Sequence, residues 1–192
     1  EPGLAKTLAY TAQAGRLGDV AMTPDKDAVY ERLVEIDVTS MAPQVACPHL
    51  PDNVKPVDET SGLRIHQSVI GSCTNGRIED MREAASILKG RKVDPKVRCI
   101  ILPATPTIWK QCMKEGLMEI FMDAGCIVGP PTCGPCLGGH MGILAGGERT
   151  VATTNRNFKG RMGSLESEVF LSNPWVAAAS AIAGEIINPA KL

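Results

Sequence analysis

"RIHQSVIGSCTNGRIEDMREAASILKG", residues 64–90, decides the fold of this chain. Its first eight residues are a short β-rich run. Residues 78–90 then carry apolar side chains at helical spacing, with Gly90 as a C-terminal stop. A strand that passes through a small polar loop into a helix is the first part of a strand–helix–strand unit. "VRCIILPA" (97–104) completes it, because a continuously apolar run suits a strand covered on both faces.

The same alternation continues outward. Thr105 and Pro106 supply an N-cap and a first-turn proline for one helix over 107–125. "CIVG" (126–129) reads as a third strand, "RTVATT" (149–154) as a fourth, and Asn173-Pro174 opens a last helix over 174–186. This pattern predicts an α/β fold: a three-layer α/β/α arrangement with a mostly parallel sheet and helices on both faces. Upstream, residues 4–22 and 24–36 read as two short helical stretches ended by Gly15, Gly18 and Pro24. Residues 43–56 hold four prolines and suit an extended connector. The boundary predicted there separates 1–45, the tail of a preceding domain with its connector, from an α/β domain over 46–192. The first residue is Glu1, so the chain reads as a piece of something longer.

Twenty basic residues stand against 21 acidic ones, which leaves no electrostatic footprint for nucleic acid or an anionic membrane. Aromatic residues make up only 4 % and give no stacking platform for single strands. No apolar run reaches the length of a membrane span, and no signal-peptide pattern opens the chain. The expectation is a soluble, cytoplasmic protein. Seven cysteines is an odd number and does not suit a secreted disulfide framework.

In open α/β sheets, sites gather beyond the carboxyl ends of the strands. Cys73 follows the first predicted strand, Cys133 and Cys136 follow the third, and Asn155, Arg156 and Asn157 follow the fourth. Three loops far apart in sequence are thus expected at one sheet edge. The start of the helix near Ile78 favours a thiolate at Cys73, and Gly134, Gly138 and Gly139 let backbone N–H groups approach sulfur. Three thiolates leave one metal position open, the mark of a catalytic metal.

Other chemistries fit parts of this pattern. C-G-P-C also forms the active site of thioredoxin-like oxidoreductases, although the Gly138-Gly139 pair is a poor start for a stiff helix. Cys73, Cys133, Cys136 and His140 could form a sulfur-rich zinc site. Cys99, Cys112 and Cys126 read as small buried hydrophobes, Cys47 and His49 as loop-packing residues, and His66 as a strand residue. Arg156 and Arg161, five residues apart, match a polycarboxylate through their planar forks.

"GSCTNGRIEDM" (71–81), "GPPTCGPCLGGHMGILAGGE" (129–148) and "TTNRNFKGRMGS" (153–164), with the connector at 43–57, resemble in order and spacing the iron–sulfur domain of the aconitase superfamily. The branch they are most similar to contains the isopropylmalate, homoaconitate and dimethylmalate dehydratases. The resemblance runs from about residue 36 to the C-terminus. It implies a [4Fe–4S] cluster held by Cys73, Cys133 and Cys136, with Asn75 and Asn155 beside it. It also implies Arg156 and Arg161 on substrate carboxylates, and a lyase-type isomerisation of a hydroxy polycarboxylate, isopropylmalate first, without redox change. The family's catalytic His and Asp residues lie in earlier domains, and its catalytic serine lies on a swivel domain that is a separate small subunit in this branch. Residues 1–45 contain no histidine, so the catalytic residues are expected outside this chain. The chain therefore reads as the C-terminal part of a large subunit, inactive alone.

Overall fold

The computed structural model describes residues 2–13, 15 and 23–192. They fall into two units, 1–40 and 41–192. The first contains helix α1 (Pro2–Gln13), and the rest of the predicted stretch up to residue 22 lies largely outside the described residues. The helix expected over 24–36 does not form. Val29, Tyr30, Leu33, Val34 and Ile36 are all exposed, so their apolar spacing meets no core. A helix of that length needs such packing to hold in water.

The second unit is built on seven strands: β1 (Gln44–Ala46), β2 (Val54–Pro56), β3 (Gln67–Gly71), β4 (Arg98–Leu102), β5 (Ile127–Val128), β6 (Arg149–Ala152) and β7 (Glu168–Leu171). Their order is β2-β1-β7-β6-β3-β4-β5. β7, β6, β3, β4 and β5 are mutually parallel, and β1 and β2 add an antiparallel edge. The architecture is α/β with a mostly parallel sheet, as the alternation predicts. The proline-rich connector supplies β1 and β2.

Side chains alternate across the sheet. Ile70, Cys99, Ile101, Val151 and Phe170 face one core, which also takes the buried residues of α2 (Ile78–Leu88), α3 (Pro106–Lys114), α4 (Leu117–Ala124) and α5 (Pro174–Ala183). Val69, Ile100, Leu102, Ala152 and Val169 face the other side and meet Met141, Leu144 and Met162. The layer on that second face is irregular chain rather than helix. Two polar residues of β3 are fully buried, and both are paired. Ser68 Oγ donates to Ala177 O at 2.8 Å, and Gln67 Nε2 donates to Gly142 O at 2.9 Å.

Local chemistry sets most boundaries. Thr105 Oγ1 and Asn173 Oδ1 accept from the N–H groups of Ile108 and Val176 at 3.2 and 2.9 Å, capping α3 and α5. The helix expected over 107–125 is two helices, because Gly116 adopts φ +71 between them. At the carboxyl end of β3 the chain turns on Gly71, at φ +92. A Cβ there would stand 2.0 Å from Leu102 O, and one on Gly76 would stand 2.6 Å from the same oxygen. Only glycine lets the 71–76 loop close against the end of β4. Gly71→Ala is expected to lower unfolding stability by at least about 2 kcal/mol, from left-handed strain plus a backbone clash. A urea titration of the variant with an unchanged midpoint would refute this.

Candidate metal centre

The loops after β3, β5 and β6 meet at the carboxyl edge of the sheet. Cys73 is exposed, Cys133 half-buried and Cys136 buried, and all are free thiols. The Cys73 thiol acts on that of Cys133 more strongly than any other group does. Together with burial and Cys136, it raises the Cys133 thiol above its ordinary value, and the Arg161 guanidinium opposes that rise. Arg161 Nη2 lies 3.7 Å from Cys136 Sγ. Thus the three cysteines and Arg161 share one site, although Cys73 is 60 residues from Cys133.

A polar lattice ties the loops together. Thr153 Oγ1 accepts from Gly71 N at 2.8 Å, joining the ends of β6 and β3. Asn155 Oδ1 accepts from Thr74 Oγ1 at 2.7 Å and from Asn75 Nδ2 at 3.1 Å, and Asn75 Nδ2 also donates to Thr153 O. Asn75 and Asn155, singled out in the sequence, therefore bond to one another across the cysteine loop. Asn157 is fully buried, and its Nδ2 donates to Cys47 O at 2.8 Å. Thr74 and Thr153 escaped the sequence reading, which places Asn157 at this edge without a role. All lie in the quoted motifs, but only their long-range partners reveal the roles.

Two expectations about N–H groups are corrected. The amides of Gly76 and Arg77, at the start of α2, donate to Asp80 Oδ2 at 2.9 Å rather than to the Cys73 thiol. A carboxylate in the first turn competes with a thiolate for the same donors. The amides of Gly134 and Gly138 go to Thr132 Oγ1 and Pro135 O, because Gly134–Leu137 is a single 3₁₀ turn. That turn, closed by Gly138, is also not the α-helix that follows the cysteine motif in a thioredoxin-like site.

His140 is exposed. Among the described residues no three His, Cys, Asp or Glu side chains are placed to hold a single metal ion. His140 and the three cysteines form no such group here. A set of three thiols suits a polynuclear centre, in which each thiolate takes a different iron. The donor set is all sulfur, and Arg161 Nε is buried without a hydrogen-bond partner beside it, ready for an anion. Arg156 is exposed, and among the described residues its side chain makes no hydrogen bond or ion pair. The residues present fit an iron–sulfur group with an anionic ligand.

The remaining cysteines lie elsewhere in the fold. Cys47, Cys99 and Cys112 are buried and Cys126 half-buried. His66 Nδ1 accepts from Arg149 N at 3.0 Å, which pairs the entries to β3 and β6. Among the described residues no helix is long and apolar enough to cross a membrane.

The fold and the thiol-lined edge define an iron–sulfur α/β domain. The chain belongs to the aconitase family, whose model, described as Aconitase family (aconitate hydratase), matches residues 57–184. Curated relatives named 3-isopropylmalate dehydratase large subunit include those of Oleidesulfovibrio alaskensis and Nitratidesulfovibrio vulgaris. The first is 72 % identical over 183 residues, 95 % of this chain and 44 % of that protein. The second is 69 % identical over 188 residues, 98 % of this chain and 45 % of that protein. A protein of the same name from Heliobacterium modesticaldum is 60 % identical over 96 % of this chain and 44 % of its own length. The chain thus spans less than half the length of these relatives.

Exposure and burial predict an order of thiol reactivity. Burial pushes the Cys112 thiol from 9.0 up to about 11, which leaves about a hundredfold less thiolate at neutral pH. Iodoacetamide followed by mass spectrometry should label exposed Cys73 well before Cys99 and Cys112 in the folded chain. Labelling of Cys112 at the rate of Cys73 would contradict the described packing.

Proposed function

We propose that this chain is the cluster-bearing, C-terminal part of the large subunit of a hydro-lyase that interconverts 2- and 3-isopropylmalate by dehydration and rehydration. The observation that carries the reading is the meeting of Cys73, Cys133 and Cys136 with the Arg161 guanidinium at the carboxyl edge of the sheet. The names and high identity of the curated relatives support isopropylmalate as the substrate.

In this reading Cys73, Cys133 and Cys136 hold a [4Fe–4S] cluster as thiolates. When bound, the cluster supplies Lewis acidity that polarises the hydroxyl of a 2- or 3-hydroxy acid. Arg156 presents a fork matched to one substrate carboxylate. Arg161 divides its donors between the Cys136 sulfur and, through the unpaired Nε, a second anionic group. Its positive charge also favours the thiolate form of Cys133. Thr74, Asn75 and Asn155 hold the Cys73 loop against the end of β6, so that the sulfur and the arginines keep a fixed separation. The hydroxyl and amide groups of this lattice are not bases near neutral pH. The resemblance to the aconitase superfamily puts the group that takes the proton from carbon in the other half of the large subunit or in a small, swivel-domain subunit that pairs with it. The assembly is cytoplasmic in this reading.

Anaerobic loading of a complete large subunit with iron and sulfide tests the proposal. Broad visible absorption of thiolate-bound iron is expected, with its loss in Cys73→Ser. With the small subunit added, Arg156→Ala should lower kcat/KM for isopropylmalate about a hundredfold, the scale of losing one charged partner. Full cluster content in Cys73→Ser, or undiminished turnover by Arg156→Ala, would sink the assignment.

A further inference from the structure

Asn157 stands between two exposed residues, Arg156 and Phe158, in a loop without regular structure, yet its own side chain is completely buried. Its Nδ2 points at three carbonyl oxygens of the turn that leaves β1: Cys47 at 2.8 Å, Ala46 at 3.3 Å and Leu50 at 3.4 Å. Its Oδ1 is buried with no partner. A buried unpaired acceptor is unfavourable, and a hydrocarbon side chain of similar volume would avoid it. What a hydrocarbon cannot do is donate to that set of carbonyls. Asparagine at this place is explained by its N–H group.

The residue on the other side of Arg156 is also fixed. Asn155 Oδ1 accepts from Thr74 and Asn75 of the cysteine loop. Arg156 therefore lies between two anchors. One fastens the chain to the loop carrying Cys73, and the other fastens it to residues 46–50. Among the described residues the Arg156 side chain itself bonds to nothing. A backbone held on both sides of an uncommitted cation is what a preorganised anion-binding side chain requires, because the ordering of the loop is complete before the ligand arrives.

We infer that Asn157 is a positioning residue for substrate binding: by tying the arginine loop to the 46–50 turn, it sets Arg156 at the rim of the cysteine site. The inference rests on the reading of that site as a carboxylate-binding hydro-lyase centre. It adds a role for the 46–50 turn of the proline-rich connector, which braces the site from outside the three quoted loops.

The test uses the complete enzyme, large subunit with small subunit, carrying Asn157→Ala, Arg156→Ala and both together. Three quantities are read: amide hydrogen exchange over 155–161, iron and sulfide content, and steady-state kinetics. Asn157→Ala is expected to speed exchange over 155–161 and over 46–50 by at least about tenfold. Iron and sulfide should be retained. KM for isopropylmalate should rise between about ten- and a hundredfold with a much smaller change in kcat. The decisive reading is the double variant. If Asn157 acts through Arg156, adding Asn157→Ala to Arg156→Ala changes KM little further. Multiplying effects, unchanged exchange, or a freed loop with unchanged KM would each overturn the inference. Asn157→Asp, which keeps the volume but turns oxygen lone pairs towards the carbonyls, and Asn157→Ser, which keeps one shorter donor, carry the same test if the alanine variant does not fold. Failure of the unsubstituted enzyme to turn over isopropylmalate would defeat the parent reading instead. Exchange needs no substrate and would still decide the tether.

Discussion

Everything at the cysteine edge depends on how closely the chain can turn at the end of β3. Gly71 and Gly76 bring the loop against the carbonyl of Leu102, at a distance where any side chain would overlap the oxygen. The amide of Gly71 is then taken by the Thr153 hydroxyl, which ties the end of β3 to that of β6 while the loop rests against the end of β4. Parallel strands deliver their following loops to a common edge, and this lock fixes the height at which they arrive. Cys73 and Asn155 inherit their positions from it.

Electrostatics then shapes what the edge can hold. Thiols in one another's field resist joint ionisation, as the raised Cys133 thiol records, and a single guanidinium offsets only part of that resistance. A cationic centre that binds all three sulfurs removes it, because each thiolate then faces metal instead of another thiolate. Arg156 is exposed, and the Nε of Arg161 is buried without a hydrogen-bond partner.

The helices were legible where capping chemistry is local. Thr105-Pro106 and Asn173-Pro174 each mark a helix start from two adjacent residues, and both caps form. Gly116 was equally visible, but continuous apolar spacing on both sides masked its power to divide 107–125 into α3 and α4. β1 and β2 lie in the proline-rich stretch that reads as an extended connector, and β7 is four residues long. Residues 24–36 show the converse, a helical spacing with no surface to pack on. The irregular layer over Val69, Ile100 and Leu102 has no periodic signal at all, since Met141, Leu144 and Met162 arrive from loops.

The sequence by itself determined the α/β class, the thiols that follow particular strands, and the arginines on the loop after β6. Each depends on neighbours within a few residues. Tertiary structure alone decided which donors meet. Arg161 and Cys136 are 25 residues apart, Thr74 and Asn155 are 81 apart, and Asn157 reaches Cys47 across 110. Hydrogen bonds of that reach arise from strand order and loop closure, and no local propensity encodes them.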